Sequence, residues 1–268
     1  MKIVAFIGDQ PNHWGLISKV SQIATISSVV TVSKKYNKKK SYSKFIQSIC
    51  ALPLSLAWRK MQRSFIITDE FKSRVLKVST NDINSDEVLE FIVNESPDLV
   101  IVSGTNLLGA KLIKELSKTS KIMNLHTGIS PYVKGGPNCT NWCLSNRNFH
   151  LIGNTVMWLD DGIDTGNLIV TEKCPLIGNE SLSELHIKVM NHAHDIYSKV
   201  IKAYVNKQPL QNISQHEISS GHLYLTKDWN KKEVIKALYN YYFYFSNENI
   251  NNNINDVLFV NTDNYKKK

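Results

Sequence analysis

Apolar side chains along this chain follow two rhythms. Compact runs such as Ile3-Val4-Ala5-Phe6-Ile7 and Leu99-Val100-Ile101-Val102 have no polar interruption, whereas Ile17, Val20 and Ile23 recur at helical spacing. The first rhythm predicts strands buried on both faces, and the second predicts helices with one apolar face. Read this way, strands fall at residues 1–7, 25–32, 75–78, 99–102, 122–126, 154–159 and 168–174, with further candidates at 221–225 and 256–261. Helices are expected from near Asn12 through Ile23, over 42–63 with Pro53 as a natural break, and over 85–93, 108–116 and 231–242. Another opens on Ser181-Leu182-Ser183-Glu184, a capping-box start, and reaches about Val205. The Asn-rich tract 247–255 reads as a loop or weakly ordered linker, and no internal repeat is present.

Strands that alternate with helices imply right-handed crossovers. The expectation is an α/β fold, a Rossmann-like, mostly parallel twisted sheet with helices on both faces. The main domain would occupy residues 1–209, and residues 210–268 would form a short C-terminal module, a small α+β appendage. Ligands of such sheets gather beyond the carboxyl ends of the strands, where Gly8, Gly104 and Asn124 would lie.

Composition narrows the class only slightly. A length of 268 residues suits one large domain with its own core, or one domain plus an appendage. Cys50, Cys139, Cys143 and Cys174 form no CxxC pair or zinc-like spacing, and the start lacks a signal-peptide pattern, so a reduced, cytoplasmic protein is expected. The apolar run 49–58 is too short to span a bilayer. Net charge is +9, and residues 33–65 carry Lys34, Lys35, Lys38, Lys39, Lys40, Lys44, Arg59, Lys60 and Arg63 with no acidic residue, which equals the whole excess. Such a run suits phosphates, although a solvated basic face is the commoner meaning.

The chemistry concentrates after the strand at 122–126. Alternation turns Asn124 and His126 to one side, an amide and an imidazole facing the same point. Beyond the strand at 154–159, Asp161-Gly162-Ile163-Asp164-Thr165-Gly166 offers Asp164 to that point. Each feature alone has an ordinary reading: a core histidine, an asparagine capping a turn, and an Asp-Gly hairpin turn. Together, in this order and each after a strand, they suit acyl transfer. Asn124 would stabilise an oxyanion, His126 would handle a proton, and Asp164 would hold the imidazole and favour its charged form. Cys139 and Cys143 lack any obvious base partner and are expected to be inert.

These residues resemble the N-terminal catalytic domain of the folate-dependent formyltransferases, a family that includes glycinamide ribonucleotide, methionyl-tRNA and sugar-nucleotide N-formyltransferases. The likeness covers roughly residues 1–209. It implies that Asn124, His126 and Asp164 are catalytic, that N10-formyltetrahydrofolate is the formyl donor and co-substrate, and that no metal is called for. Ser103-Gly104-Thr105-Asn106-Leu107 resembles the loop whose backbone receives the pterin. Gly104, Thr105, Asn106 and Leu107 would then form one wall of the folate pocket, and Leu159, Asp160 and Asp161 the other. Lys134-Gly135-Gly136-Pro137 resembles a segment ending in proline that follows the histidine, although Gly128-Ile129-Ser130-Pro131 replaces the usual Ser-Leu-Leu-Pro. On the acceptor side the likeness points to Gly8, Asn12, His13, Trp14, Lys134, Pro137, Asn138 and Asn141, with packing on the sheet as the alternative for Trp14.

The acceptor follows less directly. A methionyl-tRNA enzyme normally appends a barrel of about a hundred residues, whereas 59 residues follow Pro209 here, with no basic residue between Lys236 and Lys266. The glycine-serine phosphate loop of glycinamide ribonucleotide enzymes is also missing. Gly221-His222-Leu223-Tyr224 followed by Asp228-Trp229 resembles the short module that ends sugar-nucleotide N-formyltransferases and aids dimerisation. The expected partners are therefore folate and a nucleotide-linked aminosugar, dTDP-linked in preference, with a possible homodimer through the C-terminal module. Nucleic acid and membrane are not expected. A methionyl-tRNA formyltransferase-like enzyme and a formyltetrahydrofolate hydrolase are the alternatives.

Overall fold

The computed structural model describes residues 1–33, 48–65, 73–136, 138–160, 162–252 and 257–260. Its centre is a seven-stranded sheet in the order β3-β2-β1-β4-β5-β7-β8. β1 (Ile3–Gly8), β2 (Ile26–Ser33), β3 (Arg74–Ser79), β4 (Leu99–Ser103) and β5 (Lys121–His126) pair in parallel. β7 (Gly153–Trp158) and β8 (Leu168–Lys173) continue the sheet antiparallel. The mostly parallel Rossmann-like arrangement expected from the apolar rhythm is the one observed.

Alternate residues of the strands feed two opposite layers. Ile3, Ala5, Ile7, Met123 and Leu125 pack with Leu16, Ile17 and Val20 of α1 (Pro11–Ser21) and with Ala193, Tyr197 and Val200 of α6 (Leu182–Val205). Val4, Phe6, Val100, Val102 and Ile122 pack on the other face with α3 (Asp86–Val93) and α4 (Ala110–Leu116). α6 begins with the expected capping box, the Ser181 hydroxyl taking the N–H of Glu184 and the Glu184 carboxylate taking the N–H of Ser181. Its Tyr197 hydroxyl is fully buried, donating to Met123 O at 2.6 Å and accepting from Val102 N at 3.2 Å, so that one side chain ties β4 to β5.

A further apolar cluster joins distant stretches. Leu54 and Ala57 of α2 (Leu52–Arg63) meet Cys139 and Cys143 of α5 (Cys139–Ser145), Leu185 and Val189 of α6, Val234 and Ala237 of α7 (Lys231–Tyr244), and Ile250 of α8 (Asn247–Asn251). Pro53 stands in the first turn of α2, where its missing N–H costs nothing, and so begins the helix that ends at Arg63. Residues 34–47, which hold six lysines of the basic run, lie outside the described residues.

Two local expectations need correction, and two elements were not expected. Residues 247–251 form α8 rather than a loop, because Ser246 caps the N–H of Asn249 and Ile250 is fully buried; residues 253–255 lie outside the described set. No strand forms over 257–260, the described part of the one expected at 256–261. There Thr171 N donates to Val260 O and the Thr171 hydroxyl accepts from Val260 N, a single pairing that replaces a ladder. β6 (Val133–Gly135) and α5 went unpredicted, being too short to show a period, and β6 pairs in parallel with β9 (His222–Tyr224).

Candidate active site

The site grows out of the alternation of β5. Met123 and Leu125 enter one layer and Ile122 the other, so Asn124 and His126 share the face of Ile122. β7 runs back beside β5, with Thr155 opposite His126 and Met157 opposite Asn124. The hairpin 159–167 then folds back and returns Asp164 over β5. Its Oδ2 lies 3.2 Å from His126 Nδ1 and accepts from Gly135 N at 2.9 Å, while Oδ1 accepts from Asn124 Nδ2 at 3.4 Å. Three residues separated by up to 40 positions therefore converge on one carboxylate.

Neighbouring groups fix each part of this arrangement. Thr155 donates its hydroxyl to Gly128 O at 2.7 Å and accepts from Ser130 N at 3.0 Å, holding the turn beyond His126. Asp160 Oδ1 accepts from Gly162 N at 3.1 Å and from the Thr165 hydroxyl at 2.7 Å, closing the hairpin on itself. Asp164 takes a left-handed backbone, φ 52°, a conformation that costs a residue with a side chain roughly 1–3 kcal/mol.

The His126 ring is 7% exposed, and its Nε2 lies 3.0 Å from Val133 O. A carboxylate on one ring nitrogen and a carbonyl on the other ask both to donate, which only the imidazolium does. Burial opposes the charge, but the Asp164 carboxylate, with support from the Val133 carbonyl, raises the pKa from 6.5 to about 10. The ring is therefore charged at neutral pH.

Cys139 corrects an expectation, for it does have an imidazole partner. Its Sγ stands 3.6 Å from His126 Nε2 and 3.4 Å from Gly135 O. Burial raises the thiol pKa, so it meets the ring as a neutral group. Cys143 rests on Leu151 O at 3.6 Å and is pushed up to about 12 by burial. The sequence reading missed Cys139, Gly135 N and Val133 O as parts of the site, because two are backbone groups and nothing in the spacing brings the third to the ring.

The remaining expected residues divide. Gly8 ends β1 and Gly104 follows the adjacent parallel β4, and a Cβ on either would collide with the His13 ring that lies between them; Gly104 also has φ 65°. Asn12 is fully buried with Nδ2 3.8 Å from Met190 Sδ on α6, which leaves it no exposed surface. Trp14 packs against the α1/α6 layer. Lys134 donates to Ser220 O at 2.9 Å. Asn138 caps α5 by accepting from Asn141 N at 3.1 Å, and among the described residues the Asn141 side-chain oxygen has no partner. Pro137 and Asp161 lie outside the described residues.

On the expected folate side, Thr105, Asn106 and the 60%-exposed Leu107 follow Gly104 in the loop after β4. A cleft of about 560 Å³ reaches Ile122, Trp158, Leu159 and Asp160, and residues 104–107 do not line it. Among the described residues no group of three His, Cys, Asp or Glu is placed to hold a metal ion, and no helix is long and apolar enough to cross a membrane.

Comparison with known proteins bears on this arrangement. A methionyl-tRNA formyltransferase of Clostridium tetani is 32% identical over 119 residues, 44% of this chain and 37% of that protein. The chain spans about half the length of the curated relatives it matches, or less. A sugar N-formyltransferase from Shewanella superposes with a TM-score of 0.57 at 14% identity, covering 89% of this chain and 88% of the other. An N-formyltransferase from Helicobacter canadensis, solved with folinic acid and dTDP-3-aminofucose, superposes with a TM-score of 0.55 at 15% identity over 91% of this chain and 81% of that one. The formyl transferase family model matches residues 1–201, a stretch that includes Asn124, His126 and Asp164. The chain belongs to the folate-dependent formyltransferase family.

Proposed function

We propose that this chain moves a formyl group from N10-formyltetrahydrofolate to the amine of a nucleotide-linked amino-dideoxysugar, with a dTDP-linked acceptor favoured. The observation that carries the transfer chemistry is the meeting of Asn124, His126 and Asp164, at 3.4 and 3.2 Å, at the carboxyl end of β5. A neutral acceptor amine attacks the formyl carbon, and the carbonyl electron pair moves onto oxygen. The second N–H of Asn124 and the positive charge of His126 stabilise that oxyanion. The attacking nitrogen gives up a proton to Asp164, directly or through water. Collapse restores the carbonyl and breaks the bond to N10, which takes up that proton from Asp164 through water and leaves as tetrahydrofolate.

For the acceptor, support comes from extent. The Shewanella and Helicobacter canadensis proteins match nearly the whole chain, and residues 222–224 form the strand expected of a sugar-nucleotide enzyme's terminal module. Ile235, Tyr239, Tyr242 and Phe243 lie 49–70% exposed on one side of α7, which supports a homodimer through this module and is checked by sedimentation. The identity to methionyl-tRNA formyltransferases favours a second reading, in which the acceptor is a charged initiator tRNA. Incubation with formyltetrahydrofolate and a panel of nucleotide-linked 3-amino and 4-amino sugars, beside charged tRNA, decides between them by mass spectrometry. A formyl gain on a sugar nucleotide is expected; a gain on tRNA alone, with salt-sensitive binding, would replace this acceptor.

A further inference from the structure

The backbone of the aspartate at the centre of the site is held from behind by a residue outside the 1–201 stretch that the family model matches. Gln215, in a single turn of 3-10 helix (Gln215–Glu217), is 3% exposed. Its Nε2 donates to Asp164 O at 2.9 Å and to Gly166 O at 2.7 Å, using both amide hydrogens, and among the described residues its Oε1 has no partner. The opposite amide orientation would set oxygen against two carbonyl oxygens, so the network fixes which way the group points. The segment is itself clamped: Ile213 exchanges backbone hydrogen bonds with Leu168 at 2.8 and 3.0 Å, and Ile213 and Ile218 pack on Met157, Leu168 and Val260.

A buried amide with an orphaned oxygen is a costly way to fill apolar space that Met or Leu would fill freely. What it secures is two carbonyls of a hairpin whose aspartate stands in left-handed backbone. We infer that Gln215 is a positioning residue for the transfer reaction, fixing the 164–166 backbone so that the Asp164 carboxylate stays against His126 and Asn124. It touches no reacting atom. Its effect is to keep a strained turn in the one geometry that places the carboxylate within reach of the imidazole.

This inference rests on the proposed roles of Asn124, His126 and Asp164, and its test separates the two. Gln215→Met keeps the volume and removes both hydrogen bonds. With the acceptor found in the panel above, kcat is expected to fall between about tenfold and a hundredfold, as displacements near 1 Å do, with donor KM little changed. Independently of any substrate, the His126 transition followed by NMR, which Asp164 and the Cys139 thiol face, should move down from about 10 toward 6.5 as the carboxylate drifts away. Gln215→Asn, which keeps the amide but is one methylene short of the two carbonyls, should show the same changes to a smaller degree, and it serves if the Met variant does not fold. A folded variant of either kind with an unmoved His126 transition and wild-type kcat overturns the inference. If no amine is formylated by the unaltered protein, the proposed function fails while the NMR result still decides whether Gln215 holds Asp164.

Discussion

At the scale of single residues, the charge on His126 governs part of the stability and, in the proposed reaction, stabilises the oxyanion. A pKa raised to about 10 means that the contribution from the pairing with Asp164 is fully present below about 6.5, the value in an unfolded chain, and is lost as pH rises through about 10. Asp164→Asn removes the main support for the charge while burial still opposes it. Its unfolding free energy, measured by denaturant titration from pH 6 to 10, should therefore be lower at pH 6 and flatter across this window than that of the unaltered protein. Asn124→Ala should leave stability nearly unchanged and cost about a hundredfold or more in kcat, the scale of losing one oxyanion donor; near wild-type turnover would remove Asn124 from the reaction. Tyr197→Phe tests the scaffold beneath the site. It strands the Val102 N–H and Met123 carbonyl bonds and should lower stability by about 1–3 kcal/mol, seen as a drop in Tm.

At the scale of elements, β6 links the site to the later part of the chain. Gly135 has φ 86°, sends its N–H to Asp164, and leaves no room for a Cβ against the Tyr224 carbonyl of β9. Gly135→Ala should push the two strands apart and withdraw a donor from the carboxylate, so both Tm and kcat are expected to fall; a variant with normal melting and turnover would show β6 to be dispensable. The sheet and its helices were legible in the sequence because runs such as residues 99–102 and the capping box at Ser181 carry their own period and punctuation. Asn124 and His126 were legible because alternation alone puts them on one face. β6, α5 and α8 were not, since elements of three to seven residues are fixed by what they pack on, as Ile250 is by its burial. Cys139 was misread for the same reason: its contact with His126 depends on a turn that no spacing rule describes.

At the scale of the molecule, residues beyond Pro209 are woven into what precedes them. Ile213 extends the edge of β8, β9 pairs with β6, Trp142 of α5 lies stacked on Tyr224 at 4.7 Å and edge-on to Trp229 at 4.8 Å, and Val234, Ala237 and Ile250 complete an apolar cluster begun by α2 and α5. A chain ended at Pro209 should therefore expose that cluster, bind a hydrophobic dye and melt well below the full chain. A truncated protein with an unchanged melting temperature would contradict this account. The pairing of β6 with β9 also has a consequence for how the protein is made. On the ribosome the parallel strands emerge first and can begin to form, but Gln215 and β9 leave the exit tunnel some fifty to sixty residues after Asp164, so a stalled nascent chain carries every proposed catalytic side chain before the strand that pairs with β6 is available.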